Sequence, residues 1–128
     1  MITGGKMEYV EAKRDKYEVA KGLSLNITID DIVLSDGELE VKYTYIANYQ
    51  DGVGELTIRG SVFAREESER TDAIMEGWTR TKNLPEDFVE SVLNSINYAC
   101  GVNGIQVVRV LDLAPPIVAP KIELARRA

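Results

Sequence analysis

The sequence predicts an α+β domain, an antiparallel meander of three to four strands packed against two helices that follow it. Two observations carry this. Between Leu23 and Arg65 apolar residues recur at every second position, the period of a strand with one buried face; after Thr71 they recur at every third or fourth, the period of a helix. Turn residues also fall where the runs break, at Asp36-Gly37 and Asp51-Gly52. Strands first and helices later are the order of an α+β fold.

Met1 to Gly5 is expected to be a disordered start, since Gly4-Gly5 leaves little to bury. Met7 to Lys13 is a candidate fourth strand, and its charges Glu8, Glu11 and Lys13 suit an edge. In the first clear strand Leu23, Leu25, Ile27 and Ile29 alternate with Ser24, Asn26, Thr28 and Asp30, continuing irregularly to Leu34. Glu38 to Tyr49 follows, with Leu39, Val41, Tyr43, Tyr45, Ala47 and Tyr49 on one face and Glu38, Glu40, Lys42, Thr44, Ile46 and Asn48 on the other. The third strand, Glu55 to Arg65, puts Leu56, Ile58, Val62 and Ala64 on one side, and Gly60 marks a bulge or a close backbone approach.

A short helix over Thr71 to Lys82 carries Ile74, Met75 and Trp78 and is weakened by Gly77. Pro85 suits a first helical position. Glu86 and Asp87 then sit at the positive end of the helix dipole, and Phe88, Val89, Val92, Leu93, Ile96 and Ala99 form the apolar face. Gly101 is the expected stop. Gly104 to Leu113 is rich in Val and Ile, and Pro115, Pro116 and Pro120 make residues 114–128 an extended tail laid along the domain. The whole, 128 residues, reads as one domain.

Composition narrows function. The chain has 15 basic and 21 acidic residues, and Asp36 to Glu90 holds 13 acidic against 6 basic, so a nucleic acid or an anionic membrane would be repelled. No apolar run reaches the roughly 20 residues of a membrane span, and Met1 to Val10 has no signal-peptide pattern. A lone Cys100 forms no internal disulfide, so a reducing compartment, the cytoplasm, is expected.

There is no histidine. Its absence removes the commonest general base, the commonest metal ligand and every Ser-His or Cys-His arrangement. The carboxylates Asp30, Asp31, Asp36, Asp51, Glu66, Glu67 and Glu69 lack calcium-loop spacing, and no metal or cofactor is expected. Neighbouring Asp30 and Asp31 would point to opposite faces of a strand, a poor catalytic pair. The expectation is a protein that binds rather than catalyses. Trp78, just before the Asn83-Leu84-Pro85 break, is either a core side chain or an apolar anchor for peptides. A second helix apolar through more than one stripe, with Tyr43, Tyr45 and Tyr49, suggests burial against another subunit.

The order of elements, with Leu111-Asp112-Leu113-Ala114-Pro115 after the long helix, resembles the SecB family of export chaperones and its Leu-x-Leu-Ala-Pro signature. The likeness runs from Lys6 to Ile122. It implies a four-stranded sheet with two helices joined by a crossover loop, a homodimer or homotetramer, and an ATP-independent holdase that binds extended apolar segments of unfolded or precursor polypeptides. It also implies that a translocase motor docks on an acidic sheet face, for which Glu38, Glu40 and Glu55 are the candidates, although Lys42, Arg59 and Arg65 share the polar side of the sheet. Some relatives of that family serve toxin–antitoxin pairs instead. The client-binding candidates are Trp78 and Leu84 in the connection, with Tyr45 and Tyr49 if that end of the sheet is uncovered. The competing reading is a non-catalytic subunit with one dedicated protein partner.

Overall fold

The computed structural model describes residues 1–116. Four strands, β1 (Ile2–Arg14), β2 (Leu23–Ser35), β3 (Glu38–Tyr49) and β4 (Gly54–Ala64), are followed by two helices, α1 (Ser68–Thr81) and α2 (Glu86–Arg109). All strand pairs are antiparallel and the order across the sheet is β1-β4-β3-β2. The meander β2-β3-β4 is therefore as the sequence predicts, and β1 is the fourth strand, placed at the edge beside β4.

Both hairpin turns use left-handed backbone. Asp36 (φ 52°) and Gly37 (φ 76°) join β2 to β3 in two residues, and Asp51 (φ 63°) and Gly52 (φ 68°) turn β3 into β4. Positive φ at two successive positions matches the right-handed twist of the strands, and Asp and Gly tolerate it.

The N-terminal residues depart from expectation. Ile2 to Gly5 are not disordered but belong to β1, which pairs with β4 from Ile2 opposite Ala64 to Arg14 opposite Gly54. Ile2, Met7 and Ala12 pack against the core, which supplies the apolar burial that a reading of Gly4-Gly5 alone misses. Beyond the strand, the terminal amine donates to the carbonyl of Arg65 at 2.7 Å and pairs with Glu66 at 2.9 Å. β1 slips register between Met7 and Tyr9, opposite Gly60 and Arg59. A Cβ on Gly60 would lie 2.2 Å from the Lys6 carbonyl oxygen and 2.9 Å from the Tyr43 hydroxyl, so the glycine marks a close approach there.

The core lies between one face of the sheet and α2. Leu39, Val41, Tyr43, Tyr45, Ala47 and Tyr49 of β3 are all buried, with Leu56, Ile58, Val62 and Ala64 of β4 beside them. From α2 come Phe88, Val92, Ile96, Cys100 and Val108, spaced by four except for the last step of eight, where Gly104 occupies the intervening position. The helices thus cover the tyrosine-rich face.

α2 does not stop at Gly101. It runs two turns further, and the chain reverses at Asp112 (φ 55°), whose N–H donates to the carbonyl of Arg109 while that of Leu113 reaches back to Val108 at 3.1 Å. Leu113 and Val108 are both buried, completing a Schellman-type end with aspartate in the left-handed position. Gly101 and Gly104 are helix-interior residues because Pro116 folds back onto them. A Cβ on Gly104 would meet the Pro116 ring at 2.9 Å. Gly77 in α1 has the same role: a Cβ there would sit 2.5 Å from the carbonyl oxygen of Asn83, the residue that follows Lys82 (φ 60°) at the end of the helix. Of the expected tail, only residues 114–116 fall within the described residues.

Candidate functional site

Three places hold the residues singled out by sequence. The first is the connection between the helices. α1 lies near β2, and the half-buried Trp78 packs against the edge of the core with Met75 and Leu84. Its indole Nε1 donates to Asp31 Oδ1 at 3.3 Å, and the same oxygen accepts the Ile32 backbone N–H at 2.8 Å. The register shift in β2 between Ile29 and Asp31 separates Asp30 from Asp31: Asp30 accepts from the Thr44 hydroxyl, Asp31 from Trp78. The Ile32 N–H, then Trp78, hold the Asp31 carboxyl below its ordinary range. Lys82 Nζ lies 4.4 Å from the centre of the indole ring, a cation–π contact. Trp78 is therefore held on both sides, with part of its ring toward solvent, and Leu84 sits half-buried just before Pro85.

The second place is the tyrosine row. Tyr45 and Tyr49 are 0% and 1% exposed, so that end of the sheet is covered rather than open, and the two do not join Trp78 and Leu84 on one surface. The cause is the chain after α2. The Tyr49 hydroxyl donates to the carbonyl of Ala114, and that of Tyr45 to the carbonyl of Pro116 at 3.4 Å. Tyr43, next along β3, accepts instead from the Cys100 thiol, with sulfur and oxygen 3.6 Å apart. Burial raises the pKa of all three phenols and pushes that of the Cys100 thiol up to about 11. The prolines predict a tail laid along the domain, but not that its start, Leu113 to Pro116, would cover Tyr45 and Tyr49.

Two cavities flank this covered stretch. One, of about 470 Å³, is bordered by Tyr49, Val19, Ile105 and Leu113 to Pro115. The other, of about 460 Å³, lies between Ile2 to Met7 of β1, Tyr43 of β3 and Ser95, Ala99 and Asn103 of α2.

The third place is the outer face of the sheet, where Glu38, Glu40 and Glu55 project. Glu40 accepts from the buried Ser61 hydroxyl at 2.6 Å and lies 3.6 Å from Lys6; the Ser61 bond in particular holds its carboxyl low. Glu38 accepts from Thr3 and pairs with Arg65 at 3.5 Å. Glu55 accepts from Thr57. This face carries acid and base interleaved, not an acidic field. Among the described residues no cluster of three or more metal-ligating side chains occurs.

No family model matches the chain, and no curated protein matches it by sequence. Among solved structures it is similar to the SecB-like chaperone Rv1957 of Mycobacterium tuberculosis, solved with a ChAD peptide from the Rv1956 HigA1 antitoxin. The TM-score is 0.57 at 11% identity, covering 100% of this chain and 89% of that one. The fold is SecB-like. At that identity the likeness lies in the path of the backbone, and the SecB-like fold does not by itself assign a role to Trp78, Leu84 or the tyrosine row. No helix among the described residues is long and apolar enough to cross a membrane.

Proposed function

We propose that this chain is a polypeptide-binding chaperone of the holdase type, which keeps extended apolar segments of non-native proteins from aggregating without ATP. The observation that carries the reading is the SecB-like fold over the full chain, shared with a chaperone solved with a bound peptide. Exposed apolar side chains add support: Tyr17 and Val19 in the β1–β2 connection, and Tyr98, Val102 and Val110 along and just beyond α2. The client contacts are Trp78 and Leu84, which border solvent at one end of the core. In this reading the chain is a cytoplasmic homodimer or homotetramer, joined in part through the Tyr98–Val102 side of α2. Repeating weak sites across subunits supplies avidity that one site lacks. Catalysis, cofactors and metals have no part in it.

A role in export, with a translocase motor on Glu38, Glu40 and Glu55, is the less favoured form of the proposal, because Lys6 and Arg65 already partner two of the three. The second reading is service to one dedicated partner, favoured by the antitoxin peptide in the similar structure. Light scattering with and without a permanently unfolded client protein tests the first. An oligomer that takes up the client without ATP supports the holdase. Replacing Trp78 and Leu84 by serine should then weaken suppression of client aggregation while leaving the circular dichroism unchanged. A chain that ignores the client and co-purifies with one stoichiometric protein supports the dedicated partner.

A further inference from the structure

We infer that Leu113 to Pro116 is a built-in occupant of a peptide groove, and that extended peptides with an apolar residue three positions before a proline compete with it for the same seat. The inference rests on the polypeptide-binding reading and names where, and for what sequence, one such site is built.

The groove's contacts with the segment are those of peptide recognition. Tyr49 and Tyr45 donate to the carbonyls of Ala114 and Pro116, two residues apart, and bonds to main-chain carbonyls do not depend on the side chains of the occupant. Neither Pro115 nor Pro116 has an N–H, so proline in the segment leaves no donor to satisfy. Side chains provide selectivity. Leu113 and Pro116 are buried, whereas Ala114 and Pro115 face outward. Leu113 packs where Gly54 leaves room, its Cδ1 being 3.2 Å from a Cβ built there, and the Pro116 ring fills the space above Gly104. Each pocket exists because a glycine lines it.

Two cavities adjoin this path. The cavity beside Tyr49 and Ile105 lies at the Ala114 end. The cavity beside Tyr43, Ala99 and Ser95 continues the β3 tyrosine row and α2 past Tyr45 and Gly101. Tethering gives the resident segment an effective concentration in the millimolar range, so a competing peptide binds weakly until the segment's own contacts are weakened.

The experiment uses the full chain and a fluorescein-labelled synthetic peptide with the sequence of residues 110–119. Anisotropy should show weak binding to the wild type and at least tenfold tighter binding to the Leu113→Ser, Pro116→Ser double variant. Adding Tyr45→Phe and Tyr49→Phe should abolish that gain. A folded double variant that binds no tighter than wild type overturns the inference. Should the double variant fail to fold, hydrogen exchange on the wild type decides: saturating peptide should deprotect the Leu113 amide, which donates to Val108. Unchanged protection with peptide bound overturns the inference equally. The aggregation assay is separate from both: client suppression without peptide competition refutes the groove alone, and competition without any client suppression refutes the holdase alone.

Discussion

The indole N–H of Trp78, on α1, is hydrogen-bonded to a carboxylate oxygen of Asp31, on β2, across 47 residues of sequence. The contact ties the start of the interhelical connection to the sheet edge, and it relies on a charged acceptor. The folded-state pKa of Asp31 is lowered, so the stabilisation is present above the ordinary aspartate value of 3.8 and is lost as pH falls through the lower folded value.

Trp78 is the sole tryptophan, so its fluorescence reports this bond directly. Emission should be constant at neutral pH and shift to longer wavelength only below about pH 3.8. In Asp31→Asn the shift with pH should vanish, because an amide does not titrate. A transition of the same midpoint in that variant would assign the effect to another group.

The three helix glycines should respond differently to alanine. Gly101→Ala meets its nearest atom at 3.5 Å, an ordinary contact, and should stabilise by up to about 1 kcal/mol through helix propensity. Gly104→Ala meets the Pro116 ring at 2.9 Å and Leu56 at 3.1 Å, and should lose about 1 kcal/mol net. Gly77→Ala drives a methyl against the backbone of Asn83 at 2.5 Å and should lose roughly 2 kcal/mol. Urea denaturation of the three variants gives the order.

Cys100 should be inert to alkylation in the folded protein at pH 8, and react when urea exposes it. Its thiol is buried against Tyr43 and ionises near 11 rather than 9.0, with desolvation the main cause. The raised value means that its contribution to stability is complete below pH 9 and is lost as pH rises towards 11. Thermal midpoints should therefore fall across that window, and Cys100→Ala should flatten part of the fall; the buried tyrosines add their own loss at higher pH.

Ser61→Ala should cost roughly 1 kcal/mol, because it removes a hydrogen bond to a carboxylate that stays partly solvated. The same change should bring Glu40 back toward its ordinary ionisation, which a carboxylate-resolved NMR titration would read.

What was legible in the sequence follows from range. The alternation in Leu23–Ser35 and Glu38–Tyr49 and the Asp-Gly turns are local signals, since side-chain direction on a strand and left-handed φ at a turn are decided by adjacent residues. Gly101 misled for the opposite reason. A glycine near the end of an apolar helical run has the local form of a stop, but its neighbour here is Pro116, which sequence spacing does not reveal. Ile2 to Gly5 misled likewise, because their order comes from β4 more than fifty residues away.

The candidate site divides along the same line. Trp78 and Leu84 were recognisable from a break between helical periods, and the tyrosine row from period two. That the cover over Tyr45 and Tyr49 is Ala114 to Pro116 was not. By itself, then, the sequence determined the element types, the turns, which residues share a face along the meander strands and the absence of histidine chemistry. Tertiary structure decided the place of β1 beside β4, the acceptor of Trp78, the use of the helix glycines and the closing of the tyrosine groove. Apart from Gly77 against Asn83, each of these is a contact between residues distant in sequence, whose energy exists only once the chain has brought them together, whereas backbone preference acts in every residue from the start.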